Sequence, residues 1–195
     1  MHPLLQSRHY VLRSCLLILF LTGCMSSIAR AHDLEANRVS LVLRDNIHLS
    51  LQFRIDYFNF LRHAYAPTAN EKQALLELAS MSDQAFETLF QKSQKLLIEQ
   101  TMLSVTTDTQ LTLSHWRWPK ASQVQQSIRE LGAQIIIAPQ EHIHYEFVEV
   151  QADAIASKDI YQCRLKLPSA LGNVLVIHYR AQQQWNEQQE SKLTF

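Results

Sequence analysis

Apolar and polar residues alternate through one long stretch of the chain. Val39, Leu41 and Leu43 alternate with Ser40 and Arg44, and then Ile47, Leu49, Leu51, Phe53, Ile55 and Tyr57 alternate with His48, Ser50, Gln52, Arg54 and Asp56. A period of two puts every second side chain on one face, so both runs predict strands joined by a hairpin. Opposed residues in a hairpin share a face, which restricts the loop. A two-residue Asp45-Asn46 loop would oppose Leu43 and His48, whereas a three-residue Arg44-Asp45-Asn46 loop sets Leu43 against Ile47 and Leu41 against Leu49. Asn46 tolerates the left-handed conformation that such a loop needs, so the longer loop is predicted.

The middle of the chain changes period. Asn70 is placed to cap a short helix from Glu71 to Ala79, and Ser82 to cap a longer one with the apolar stripe Phe86, Leu89, Phe90, Leu96 and Leu97. Asp83 and Glu87 stand early in that helix and Lys92 and Lys95 late, as the helix dipole prefers. Strands are expected near Thr101 to Val105 and Gln110 to Leu113. A third helix is expected with Pro119 in its first turn, running through Ala121, Val124, Ile128 and Leu131 and stopping at Gly132.

Strand patterning then returns. Ile143, Tyr145 and Phe147 alternate with His142, His144 and Glu146, and Tyr161, Cys163, Leu165 and Leu167 alternate with Gln162, Arg164 and Lys166. Asn173 to Tyr179 is apolar on both faces until His178, which predicts a central strand. A polar tail follows Arg180, with Trp185 placed to pin its start. Strands, then helices, then strands, without regular alternation, predict an α+β fold: an antiparallel sheet or β-sandwich with a helical insertion around residues 70–132.

The first residues carry a different signal. A basic segment with Arg8 and Arg13, the apolar run Ser14 to Leu21, and Ala29-Arg30-Ala31 form the pattern of a secretory signal peptide over residues 1–31. That predicts export to the periplasm or outer cell envelope of a bacterium, with residues 32–195 as a single domain. A second site overlaps it: Leu21-Thr22-Gly23-Cys24 resembles a lipoprotein box, with Cys24 as the acylated residue and a lipid anchor as the only membrane attachment.

Without the leader the body holds 15 Lys and Arg against 18 Asp and Glu, a balance that offers no nucleic-acid surface. Cys163 is then the only cysteine, so no intrachain disulfide is available. The body's glycines are Gly132 and Gly172, which excludes glycine-rich phosphate loops and the G-x-S-x-G nucleophile elbow.

Few residues remain for chemistry. His142, His144 and Glu146 would share one face of a strand about 7 Å apart, the start of many strand-borne sites for copper, nickel or zinc. A third and a fourth ligand would have to come from elsewhere, with His48, His115 or His178 able to supply one after folding. His32, if it is the mature N-terminus, could chelate copper through its amine and imidazole. Cys163 falls on the apolar side of its predicted strand and is expected as an inert core thiol. Trp116 and Trp118, beside His115 and Arg117, would line a carbohydrate or peptide groove or pack where a strand meets a helix. Arg54, Asp56 and His48 share a solvated face. With no catalytic motif, the chain is read first as a non-enzymatic binding or accessory domain with a membrane or envelope protein as partner. The second reading is a periplasmic metal-binding protein using His142 and His144, and the third an unrecognised hydrolase.

The start Ala31-His32-Asp33, the hairpin from Val39 to Tyr57, the helical insertion and the later strands resemble in layout the extracytoplasmic N-terminal region of HupE/UreJ-type membrane proteins, associated with nickel supply. That family's membrane bundle has no counterpart in this sequence. The resemblance therefore implies an accessory or binding domain and not transport, and it assigns no site residue.

Overall fold

The structure, a computed structural model, describes residues 36–105, 109–138 and 146–181. The hairpin comes first, as strands β1 (Asn37–Arg44) and β2 (His48–Asp56). Four helices follow, interrupted by short strands: α1 (Tyr57–Tyr65), α2 (Glu71–Ser80), α3 (Asp83–Gln100), β3 (Met102–Ser104), β4 (Gln110–Leu111), β5 (Ser114–Arg117) and α4 (Ala121–Ile137). The chain returns as β6 (Phe147–Ile155), β7 (Arg164–Lys166), a 3₁₀ turn (Ser169–Leu171) and β8 (Val174–Arg180). Five strands form one sheet in the order β5-β6-β2-β1-β8, and β4-β3-β7 form a second. The fold is α+β. The larger sheet is mixed, because β8 runs parallel to β1 while its other pairs are antiparallel.

The hairpin has the expected loop length but a different register. Leu43 faces Leu49, Leu41 faces Leu51 and Arg44 faces His48, so the loop is Asp45-Asn46-Ile47. Asp45 and Asn46 both take left-handed backbone angles, at φ 47° and 58°. Short polar side chains tolerate that region better than branched ones. Contacts from outside the hairpin fix the shift: the Ile47 carbonyl accepts from the Ala156 amide at 2.9 Å, and that of Asn46 from Ile160 at 2.8 Å. The apolar rows stay on one face because the slip preserves their parity.

Strand β2 ends before Tyr57, and helix α1, unforeseen from the alternation, begins there. The Asp56 carboxylate caps it by accepting from the Asn59 amide at 3.0 Å. Tyr57, Phe58, Phe60 and Leu61 are buried, a helical spacing hidden behind the last step of a strand pattern. Asn70 and Ser82 cap α2 and α3 as predicted, accepting from Lys72 and Ala85. Buried Ser93 joins Phe86, Phe90 and Leu97 in the α3 stripe, while Leu89 and Leu96 are half-buried.

Helix α4 departs from expectation at both ends. Pro119 precedes it, and the Gln123 side chain instead accepts from the Lys120 amide at 3.1 Å. Gly132 does not stop the helix, which runs on to Ile137. Its missing side chain is a packing device, since a Cβ there would lie 2.9 Å from the Cβ of Ala79 in α2.

The core lies on one face of the large sheet. Val39 and Leu41 of β1, Leu49, Leu51, Phe53 and Ile55 of β2, and Val150, Ala152 and Ala154 of β6 are buried there. An aromatic series joins sheet to helices: Phe53 stacks on Trp116 at 5.6 Å, Trp116 on Trp118 at 5.8 Å, and Trp118 meets Phe90 edge-on at 6.2 Å. Phe147 lies on the other face, with the Arg54 guanidinium 4.6 Å from its ring centre. Although the alternation with His142, His144 and Glu146 reads Phe147 as a core-facing position, Val148, Val150, Ala152 and Ala154 set the parity of β6, and Phe147 pairs with Asp56 on the outer face.

Two further strands are corrected. Only Arg164–Lys166 is extended within the predicted Tyr161 to Leu167 strand, and Tyr161 and Cys163 are exposed. Among the described residues, strand β8 is at the sheet's edge rather than its centre, with β1 as its neighbour. Trp185 lies outside the described residues. No helix among the described residues is long and apolar enough to cross a membrane.

Candidate functional site

Of the residues singled out in the sequence, Cys24, His32, His142 and His144 lie outside the described residues. Glu146 is exposed, and its carboxylate accepts from the Ser127 hydroxyl of α4 at 2.7 Å. His48 and His115 border one depression together with Asp45 and Asp153, whereas His178 belongs to the opposite face of the sheet. Among the described residues, no three His, Cys, Asp or Glu side chains are grouped to hold a metal ion. Trp116 stacks on Phe53 and Trp118 meets Phe90 edge-on, so both pack where the sheet meets α3.

The outer face of the sheet carries an ordered polar array. Its floor comes from adjacent strands in register: Ser50 beside Asp153, Gln52 beside Gln151, and Arg54 beside Glu149. The Ser50 hydroxyl donates to Asp153 at 2.9 Å, and Gln52 Nε2 to Glu149 at 3.1 Å. Pairing of β5 with β6 is irregular between Ser114 and Arg117, and His115 adopts φ 51° there. Such a break re-aims the following side chain. Arg117 thereby reaches two partners on β6, donating from Nε to Gln151 at 3.0 Å and from Nη1 to Asp153 at 3.1 Å.

These side chains line a depression of about 450 Å³ that crosses all five strands, from Arg117 through Gln151, Asp153, Ser50, Gln52 and Val42 to Tyr179. One end is polar and mixed in charge. At the other, Tyr179 stands beside Val42 in the β1/β8 register, with Leu175 exposed on the same face. The alternation of β2 puts His48, Arg54 and Asp56 on this face. Ser50 and Gln52 were visible in the same alternation, while Gln151 and Asp153 belong to a strand that alternation with alanine conceals.

A second concavity, of about 530 Å³, opens on the core face beside β8. Leu41, Leu43 and Leu49 form its floor, Ile160, Cys163 and Leu165 one wall, and Val176, His178 and Arg180 of β8 the other. Cys163 is thus an accessible residue and not a core thiol, because the chain leaves extended geometry before Arg164. Desolvation by the cleft's apolar lining raises the thiol's pKa, which keeps it protonated. Among the described residues no hydrogen bond links Cys163 with His178, and a protonated thiol lacking a base is a poor nucleophile.

No known protein family, no curated protein and no solved structure matches this chain.

Proposed function

We propose that the chain is a non-enzymatic accessory domain of the bacterial cell envelope, and that it binds another protein through the outer face of its five-stranded sheet. One observation carries this reading: side chains from five strands form a shallow depression whose polar groups are already held in place by one another. Donors (Arg117, Gln52) alternate with acceptors (Asp153, Gln151, Glu149), and an apolar margin (Val42, Leu175, Tyr179) adjoins them. A polar array beside an apolar patch suits a polypeptide surface, with its mixture of amides and side chains, better than it suits a single ion or a small apolar ligand. Prior ordering of the side chains lowers the entropy lost on binding. The leader supports an envelope location, and the layout likeness to HupE/UreJ-type proteins supports a membrane complex as the partner class.

Photo-crosslinking from Gln52, compared with the same probe at exposed Gln84 on α3, tests the proposal in producing cells. The expected result is one discrete adduct from position 52 that disappears when Arg117 and Asp153 are both alanine. Equal adducts from both positions, or none from position 52, would refute it. The mass of the mature N-terminus decides separately between acylation at Cys24 and cleavage before His32.

A further inference from the structure

The two ends of the five-stranded sheet are built differently. Strand β5 has four residues, pairs irregularly with β6 and carries a left-handed residue, His115. Short length, irregularity and charge are the features by which edge strands resist pairing with other chains. Strand β8, at the opposite end, has seven residues and no glycine, proline or lysine, and its pairing with β1 is regular from Val174 to Arg180. Its one charged side chain, Arg180, turns back onto its own chain, donating to the Ile160 carbonyl at 3.3 Å. Leu175, Val176 and Tyr179 are 40, 45 and 54 % exposed.

The free hydrogen-bonding groups of β8 can be assigned. The Ala181 amide donates to the Leu43 carbonyl, so it points toward β1. Backbone direction alternates along a strand, which leaves the amides and carbonyls of Val174, Val176, His178 and Arg180 pointing away from β1. Among the described residues these groups face no other strand.

We infer that β8 is the contact strand of a homodimer, pairing antiparallel with β8 of a second copy about a two-fold axis at Ile177. This register uses the outward-pointing groups: Val176 pairs with His178 of the second copy, and Val174 with its Arg180, as hydrogen-bonded pairs. Leu175 then opposes Tyr179 of the second copy, an apolar–aromatic pair that occurs twice on the outer face. No like charges meet, since each Arg180 faces a valine. The strand is thus complementary to itself, which is what a two-fold contact requires and what an arbitrary foreign strand would lack. On the core face, Val176 and His178 of the second copy extend the β8 wall of the apolar cleft. The result is a continuous ten-stranded sheet whose edges, among the described residues, are the two guarded β5 strands. The dimer shares Leu175 and Tyr179 with the margin of the outer-face surface, but it is read by mass and by pairing at position 177 while that reading is tested by crosslinking from Gln52, so each can fail alone.

Sedimentation of the purified protein at micromolar concentration measures the assembly, and cysteine pairing measures its register. In protein carrying Cys15→Ser, Cys24→Ser and Cys163→Ser, mild oxidation is expected to link Ile177→Cys to its own copy. Leu175→Cys alone should not link, whereas a mixture of Leu175→Cys and Tyr179→Cys should. Leu175→Lys should weaken the dimer about tenfold or more without lowering the melting temperature of the monomer. A single-chain mass with no Ile177→Cys product overturns the inference, including where residues beyond Ala181 cover the strand. So does a dimer in which position 177 remains unlinked.

Discussion

Gly132 of α4 stands against Ala79 of α2 so closely that a Cβ added to the glycine would lie 2.9 Å from that of the alanine. Alanine at 132 would gain about 1 kcal/mol of helix propensity. Forcing two packed helices apart costs about 1–3 kcal/mol. Gly132→Ala is therefore expected to lower stability by about 1 kcal/mol, measured as the urea midpoint. Combining it with Ala79→Gly should give a protein more stable than the sum of the two single effects predicts. Strict additivity would show that the helices separate freely.

A buried hydroxyl relay joins α1 to α3. The Ser93 hydroxyl donates to the Phe90 carbonyl at 2.6 Å, so Tyr57, 2.5 Å away, is the donor to Ser93. Ser93→Ala leaves the phenol buried without a partner and should cost about 1–3 kcal/mol. Tyr57→Phe leaves Ser93 bonded to Phe90 and should cost about 1 kcal/mol through this hydrogen bond. Equal losses would show that the relay has been oriented wrongly.

Burial also raises the Tyr57 pKa well above its ordinary value of 10.0. The unfolded chain then loses this proton first, so the phenol's contribution is complete below pH 10 and declines as pH rises beyond it. Above pH 10 the wild type should lose up to about 1.4 kcal/mol per pH unit more than Tyr57→Phe. Parallel stability curves for the two proteins would contradict the assignment.

Asp56 gives the opposite lesson about a cap. Its carboxylate accepts from the Asn59 amide at 3.0 Å, and Asp56→Ala should cost about 1 kcal/mol. Desolvation nevertheless raises its pKa above the usual 3.8, outweighing those hydrogen bonds. The unfolded chain ionises this group first, so its contribution is largest below pH 3.8 and falls as pH rises through the folded-state value. Denaturation from pH 3 to pH 7 should therefore show a loss in the wild type that Asp56→Asn lacks.

The outer-face ion pair should matter little to folding. Arg117 and Asp153 are 3.1 Å apart with side chains 54 and 32 % exposed. A double-mutant cycle on the pair is expected to give under about 1 kcal/mol. Thermal melts of the alanine variants should thus stay close to wild type, and a large drop would mean that the array is structural.

The alternation from Val39 to Ile55 made β1 and β2 legible, because large apolar side chains marked every buried position. Strand β6 was harder to see. Ala152 and Ala154 fill its buried positions where the sheet faces bulky Leu51 and Leu49, and small residues leave little hydrophobic contrast. Tyr57 hid the start of α1 by satisfying two periodicities at once. Gly132 was misread because a helix-ending glycine and a close-packing glycine look alike until α2 is in place. For β8, composition revealed an apolar strand but not its neighbours. The outer-face array was half legible: Ser50 and Gln52 lie in the visible hairpin, but their partners depend on long-range register.

Pairing of β1 with β8 sets a timetable for the chain. Asn37 lies beside Val174, and Leu43 beside Arg180, so these neighbours belong to opposite ends of the described domain. Emerging N-terminus first, from a ribosome or an export channel, the chain delivers β1 early and β8 only after the helices. During that interval β1 has β2 on one side and a vacant flank on the other, and β8 can arrive only after the helices have been made. Such long-range closure slows folding and leaves an apolar strand open to misplaced contacts. A chain that has emerged only as far as Gly172 would therefore be a natural client for a holding chaperone, and release would coincide with the arrival of β8.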